Sequence, residues 1–575
     1  MAAGFFGFFL EGINIQQPEA FFPNFKGVFE AVQTDQYQLG RKVLPQLSHD
    51  RFLQENDEFI IGFEGINLTP NIQTFNEFVE NYKEKGLNFI PELKGTFSGF
   101  ILDKKKQKIH IYTDHLATKS IFYYHHPKHG FAFSSSLQVL SKAFRQNNIP
   151  YTLNQSAVYM MALYGIMLED YTYIKEVKRL AYGSILTYDL TDKKMSVNQY
   201  FRFNNKKNDL SYQESIDRIE NLMTKSIEAN WAKNRQYSQQ YFSFLSGGMD
   251  ARVNALLAKE MGFENITTFT FGQSDSKDVE YARKIAQGEG FKHIEHFIDG
   301  GNYLTENIFE NYVIPNDGMI FYNGSAHMSH SLRSIDLSNF VLAHSGQIGD
   351  ALFGSFARRH YNFFANKDKI GYTGFVKHIE LLNKIEGLDD ILAKYQKRGY
   401  ELYVYEQRIM NGAIMGDKSI DMIMDTISPF YDRDLIQFCI SMPNSYKKYQ
   451  RIYFDWLKKY HPQVLKYPWD KINMNPDAYW KIKYGKLFKK YFNGAKKYFN
   501  LKYESMNPFG RWLKENPHIL ETLNSIFESE INNPNLNTEL KEDLKKIYKD
   551  DVFESRNKFA VVSVLLAIKL HFSNN

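Results

Sequence analysis

The sequence predicts an α+β chain in two parts: a β-rich layered sandwich, then an α/β parallel sheet that runs on into helices. Three observations predict it. Up to about residue 200, short alternating apolar segments recur between Gly, Asn and Lys turns. From residue 241, strand-like and helix-like stretches alternate, as in a parallel sheet with crossover helices. From about residue 400, helical spacing dominates. A chain of 575 residues is also too long for one core. The polar stretch "RFNNKKNDLS" reads as the linker, which gives expected domains of 1–205 and 206–575.

The elements follow in order. "MAAGFFGFFLEG" has no basic residue before its apolar run and no cleavage-like site after it, so it reads as a buried strand and not as a leader. "FIIGFEGI", "GTFSGFILD", "KIHIYTD", "IFYYHH", "GFAFSSS" and "GSILTYDL" read as further strands. "TFNEFVENYKEKG" and "NQSAVYMMALYG" read as helices between them, and "YQESIDRIENLMTKSIEANWA" as the helix that opens the second part. Then come "YFSFLSGG", "MDARVNALLAKEMGF", "ITTFTFGQ", "VEYARKIAQGEG" and "HIEHFID", strand and helix by turns.

Composition excludes several functions. With 70 basic against 65 acidic residues, the charge of +5 gives no reason to expect a nucleic-acid partner. No stretch supplies the ~20 apolar residues of a membrane span, since "FAVVSVLLAI" is short and Lys569 follows it. The single cysteine, Cys439, excludes an intramolecular disulfide and any multi-cysteine metal site, and the cytoplasm is the expected compartment. His293 and His296 fall three apart on a strand and point to opposite faces, which argues against a zinc pair. In "YWKIKYGKLFKKYFNGAKKYFNLKY", Tyr484, Phe488 and Phe492 have helical spacing, so this basic stretch reads as an amphipathic helix with a solvated lysine face. If the substrate is an anionic saccharide or is carrier-linked, this stretch is its expected docking place.

The chemistry gathers at "FLSGGMDARV". A Gly-rich turn between a parallel strand and a helix aims free backbone N–H groups and the positive helix end at an anion, most often phosphate. Gly247 and Gly248 permit close approach and Ser246 adds a hydroxyl. Asp250 would repel a phosphate unless a divalent cation lay between them, which implies magnesium. The spacing matches neither G-x-x-x-x-G-K-[ST] nor G-x-G-x-x-G. Downstream, "VLAHSGQIGDALFGSF" repeats the strand, turn and helix start, and places Asp350 as Asp250 is placed.

The first loop resembles the S-G-G-x-D-S pyrophosphate loop of the ATP pyrophosphatases, and the second resembles the S-G-x-G-x-D-E-x-F-G-G motif of asparagine synthetase-like proteins. "SPFYDRDLIQFCISMP" and "YPWDKINMNP" follow in that family's order, as "ELKGTFSGFILD" and "YTDHLATKSIFYY" do in the first half. The resemblance implies an N-terminal-nucleophile-like glutamine amidotransferase sandwich followed by an adenine nucleotide α-hydrolase-like synthetase domain. It also implies ATP and Mg2+ as cofactors, with Ser246, Gly247, Gly248, Asp250, Phe271, Ser345 and Gly346 around ATP and pyrophosphate, and Asp250 and Asp350 on the metal. Lys471, Asp350 and Gln347 are the implied catalytic residues, with Lys471 set against transition-state charge.

Departures from the pattern set the expected reaction. Ala3 stands where the amidotransferase nucleophile, a cysteine, belongs, and a methyl group cannot attack an amide. Thr113 replaces the arginine before Asp114. The expectation is therefore an AMP-forming amide ligase without glutaminase activity. Such a ligase joins a small-molecule, peptide or saccharide carboxylate to an amine or ammonia, as the related β-lactam synthetases and lasso peptide cyclases do; a separate glutaminase and a homo-oligomer are both allowed. Gln347 cannot act as a base, so a substrate-assisted or different base is needed; Tyr322, Asp317 and His344 are candidates by position in the sequence. Ala251, Ile348 and Ala351, each a departure from the motifs, motivate the alternative of a catalytically silent nucleotide-binding or scaffold subunit.

Overall fold

The computed structural model describes residues 4–12, 15–22, 27–45, 51–356, 367–372, 376–485, 505–549 and 555–573. Ala3, Phe488 and Phe492 lie outside them.

Among the described residues the first 200 supply twelve strands. They are β1 (Gly4–Leu10), β2 (Val28–Gln33), β3 (Gln38–Val43), β4 (Phe52–Glu55), β5 (Phe59–Asn67) and β6 (Gly95–Asp103). After these come β7 (Lys108–Thr113), β8 (Phe122–His126), β9 (Gly130–Ser134), β10 (Val177–Arg179), β11 (Ser184–Asp189) and β12 (Met195–Gln199). They form two six-stranded antiparallel sheets, ordered β10-β8-β9-β1-β3-β2 and β12-β11-β7-β6-β5-β4. The side-chain period of two on β1 explains how the layers stack. Phe5 and Phe9 enter the core between the sheets with Ile60, Phe100, Ile111 and Phe133, whereas Phe6, Phe8 and Leu10 face the helices outside. Gly7 is required here, because a Cβ on it would fall 2.1 Å from the Phe133 ring.

Helices cover both outer faces. Phe75–Lys85 begins at a Thr74–Glu77 capping box and sets Phe78 edge-on against Phe52 and Phe63. Leu137–Gln146 and Gln155–Tyr164 cover the other sheet together with Ser555–Phe572, whose Val561 and Leu565 share a cluster with Phe6, Leu140 and Met160. Arg556 Nη2 donates to the Leu163 carbonyl at 2.5 Å across 393 residues of chain. "FAVVSVLLAI" is thus a core helix, and among the described residues no helix is long and apolar enough to cross a membrane.

Residues 200–211 form neither helix nor strand, and Tyr212–Asn234 then starts at a Ser211–Glu214 capping box. Beyond it lie β13 (Tyr241–Phe244), β14 (Ile266–Gly272), β15 (Lys292–Phe297), β16 (Leu342–His344) and β17 (Asp425–Ile427), ordered β15-β14-β13-β16-β17 and all parallel. The chain adds β14 and β15 on one side of β13 and then crosses to add β16 and β17 on the other, so the crevice between the C-terminal ends of β13 and β16 is a topological switch point, where open α/β sheets take their ligands.

A buried ion network ties the sandwich to this sheet. Arg51 pairs with Glu64 at 2.9 Å and with Asp425; Lys119 reaches Asp425 at 2.6 Å and Asp421 at 2.9 Å, and every one of these side chains is buried. One expectation is corrected. Tyr484 does not face a core: it is exposed, and Ile482 and Gly485 are the buried positions beside it.

Candidate active site

The first loop leaves β13 and runs into the helix Met249–Glu260. Gly248 is the N-cap and offers no side-chain cap, so the first N–H groups of the helix stay available to an anion. Ser246 Oγ accepts the Gly248 N–H at 3.1 Å, which fixes the turn. The second loop leaves β16 and is anchored where Ser345 N–H donates to the Ile427 carbonyl and Asn254 Nδ2 donates to the Ser345 carbonyl, each at 2.9 Å.

Glycine lets the two loops touch. A Cβ on Gly346 would sit 2.2 Å from the Ala251 nitrogen, and one on Gly349 would sit 2.6 Å from the Asp250 carboxyl carbon. At this contact the Asp350 N–H donates to Asp250 Oδ2 at 2.7 Å and the Tyr453 hydroxyl donates to Asp250 Oδ1 at 3.0 Å. Lys471 Nζ lies 2.9 Å from Asp350 Oδ2. Fully buried Arg252 brings Lys471 here, since its guanidinium donates to the carbonyls of Gly247 (3.1 Å), Tyr467 (2.9 Å) and Pro468 (2.6 Å), and the Asp470 N–H donates to the Gly247 carbonyl at 3.2 Å.

Burial, and then the neighbouring Asp350 carboxylate, push the Asp250 carboxyl up to about 7. Burial opposes the charge of Lys471, but Asp350 and Asp250 outweigh it and hold the ammonium above its ordinary value. Two close carboxylates are a hard oxygen-donor set, which suits a divalent cation completed by phosphate oxygens; Asp250 and Asp350 would hold Mg2+.

A cavity of about 300 Å3 opens beside the loops. Ser246, Gly248, Asp250, Phe271, Ser345, Gly346 and Gln347 line it. Gly247 stands behind it against Asp470, and Asp350 and Lys471 are joined to it through Asp250. The structure therefore brings together the ten residues that the resemblance implies for ATP, metal and catalysis. Ile348 is in the left-handed region at φ 63°, a conformation that costs a β-branched residue on the order of 1–2 kcal/mol and that glycine adopts freely. Its side chain, 8% exposed, packs in the core with Leu352 and Phe353, which offsets that cost.

Sequence reasoning missed Asp417 and Tyr431. Gln347 donates through Nε2 to the Ala413 carbonyl at 2.9 Å and accepts from the Tyr431 hydroxyl, which also reaches Asp417 Oδ2 at 2.8 Å. A phenol has one proton, so it serves one acceptor at a time. Asp417 lines the same cavity, and burial pushes its carboxyl up to about 7. In the sequence it is one of three acids in "GDKSIDMIMD"; only the fold distinguishes it.

The three candidate bases are elsewhere. Asp317 is buried against Lys418 and accepts from Ser136 Oγ at 2.8 Å. The buried Tyr322 hydroxyl donates to the Leu304 carbonyl. His344 is stacked on Trp231 at 4.0 Å, and burial pushes its imidazole down to about 3.

Comparison with known proteins gives two family matches in tandem. Residues 76–237 match the glutamine amidotransferase domain model and residues 232–475 match the asparagine synthase model. Among curated proteins, Methanocaldococcus jannaschii "Putative asparagine synthetase (glutamine-hydrolyzing) 2" is 24% identical over 305 residues, 51% of this chain and 56% of that protein. Its numbered companion 1 is 22% identical over 371 residues, 64% and 59% of the two chains. Bacillus subtilis asparagine synthetase (glutamine-hydrolyzing) 2 is 27% identical over 223 residues, 36% and 28%. The matches thus span less than two thirds of each relative. Among solved structures, the B. subtilis glutamine phosphoribosylpyrophosphate amidotransferase complexed with ADP and GMP aligns over 51% of this chain and 80% of its own, at 10% identity and a TM-score of 0.24. The amidotransferase match falls on the antiparallel sandwich and the synthase match on the sheet whose switch point holds both loops, so the chain belongs to the asparagine synthetase-like family.

Proposed function

We propose that this chain is an ATP-dependent, AMP-forming carbon–nitrogen ligase. The observation that carries the reading is the apposition of Asp250, Asp350 and Lys471 at the switch-point crevice, beside a helix start with free N–H groups. A substrate carboxylate oxygen attacks the α-phosphorus of ATP and pyrophosphate leaves toward Ser246–Asp250. An amine or ammonia then attacks the acyl carbon, and AMP leaves with the bond electrons. Bound Mg2+ would neutralise phosphate charge. Lys471 places an ammonium against the negative charge that develops, an effect typically worth about 3–4 kcal/mol when the donor is preorganised.

The attacking amine must lose a proton. Asp417 is the proposed acceptor, with the Tyr431 hydroxyl between it and Gln347, because a carboxyl pushed up to about 7 exchanges protons at neutral pH. We further infer that the chain does not hydrolyse glutamine, because alanine occupies the nucleophile position, and that its carboxylate belongs to a natural product, peptide or surface saccharide instead of aspartate.

Calorimetry with ATP, with and without magnesium, tests the reading on the native chain and on Asp250→Ala. Magnesium-dependent binding that Asp250→Ala abolishes supports it, and pyrophosphate release across a panel of carboxylates then identifies the acid. Absence of binding by the native chain refutes it in favour of a silent subunit. In the active enzyme, Asp417→Asn should slow amide formation while leaving ATP binding within twofold.

A further inference from the structure

A second chamber of about 410 Å3, the larger of the two, lies between the antiparallel sandwich and the helical layer. Its walls carry charge of both signs, but most of it is paired. Glu169 meets Lys394 at 2.6 Å, Asp170 meets Lys178 at 3.1 Å, and Glu406 accepts from Arg398, Tyr182 and Tyr395.

Arg179, at the end of β10, differs. It is 8% exposed, it makes no ion pair among the described residues, and its guanidinium has one hydrogen-bond partner there, Asn411 Oδ1. A guanidinium carries five donors, and burying one without an anion is costly. Burial pushes it down to about 10, with Glu169 and Asp170 opposing that shift from positions already committed to lysines. Arg202 stands exposed at the mouth of the same chamber with no partner among the described residues.

We propose that this chamber binds a small organic oxyanion, a carboxylate or a phosphate, between Arg179 at its floor and Arg202 at its mouth. The site is separate from the nucleotide cavity yet joined to it. Asn411 belongs to the π-helix Val404–Ala413, whose last carbonyl holds Gln347; π-turns of this kind recur at functional sites. An occupant that engages Arg179 acts on the partner of Asn411, two residues from the group that positions Gln347.

Titration calorimetry of the full chain with malonate and with inorganic phosphate tests this without requiring ligase activity, and the two arms separate the carboxylate from the phosphate source. The expected result is binding of one probe to the native chain, weakened about tenfold or more by Arg179→Gln, as for loss of a charge-assisted contact, and several-fold by Arg202→Ala. Lys471→Ala should leave it unchanged. Because Arg202 is exposed, its variant tests the site even if Arg179→Gln fails to fold. Failure of both probes to bind the native chain, binding untouched by Arg202→Ala, or binding lost in Lys471→Ala would each overturn the proposal; the last would assign the anion to the pyrophosphate loop.

Discussion

Replacing Gly346 by alanine measures how much the function depends on contact between the two loops. The added methyl carbon would lie 2.2 Å from the Ala251 nitrogen and 2.3 Å from the Asp250 carbonyl carbon, where ordinary contact begins at 3.4 Å. Both obstacles are backbone, so no side chain can swing aside, and the loops must part by about 1 Å in a close-packed interior. That movement would stretch the Asp350 N to Asp250 Oδ2 bond from 2.7 Å to about 3.7 Å, beyond hydrogen-bond range. Overpacking of this kind costs about 1–3 kcal/mol of stability, and a 1 Å displacement of reacting groups costs about a hundredfold in rate. Gly324→Ala is the matched control, because nothing lies within 4 Å of its Cβ position, and alanine in a helix favours folding by up to about 1 kcal/mol. Urea unfolding and magnesium–ATP calorimetry on both variants give the answer. Native-like affinity and stability in Gly346→Ala would refute the claim that loop contact builds the site.

Three further outcomes are expected. Lys471→Ala should lower turnover by about 10²–10³ while ATP affinity changes only a few-fold, read by pyrophosphate release beside calorimetry. His461 sits with Nδ1 2.7 Å from Glu260 and Nε2 2.9 Å from Glu220; burial opposes its charge, but the two carboxylates push it up to about 9. Its folded value is thus above the unfolded one, so its stabilisation, up to about 3 kcal/mol, is fully present below about pH 6.5 and is lost as pH rises through about 9. Urea midpoints of the native chain should fall across that window more than those of His461→Gln. Arg51→Ala strands Glu64 in the buried network, while Asp425 keeps Lys119, and should cost about 3–5 kcal/mol by chemical unfolding, a loss much larger than a surface pair would show.

The fold class was legible where periodicity was strong. The run "GFFGFFL" is a buried strand because its two faces serve two different cores, and "SGGMD" is a strand-to-helix turn because β13 feeds a helix there. The residues of the two loops could be read for the same reason: their spacing is local. β10 and β17 passed unnoticed, since three residues carry no period and their neighbours in the sheet are distant in sequence. Arg252, Tyr453, Asp417 and Tyr431 were equally invisible. Each acts through a partner at least 14 residues away, apart from the short reach of Arg252 to Gly247, and nothing in their immediate sequence distinguishes an arginine that pins a remote loop from one that faces water.

The helix Ser555–Phe572 has a consequence for how the molecule is made. It completes the outer layer of a sheet whose strands all precede residue 180, so the sandwich cannot close that face until the ribosome has added the intervening chain. At about 5–20 residues per second the wait is roughly 20–80 s. Through that interval the apolar flank around Phe6, Leu140 and Met160 stays open to solvent on the nascent chain, which makes this face the natural hold for a chaperone during synthesis.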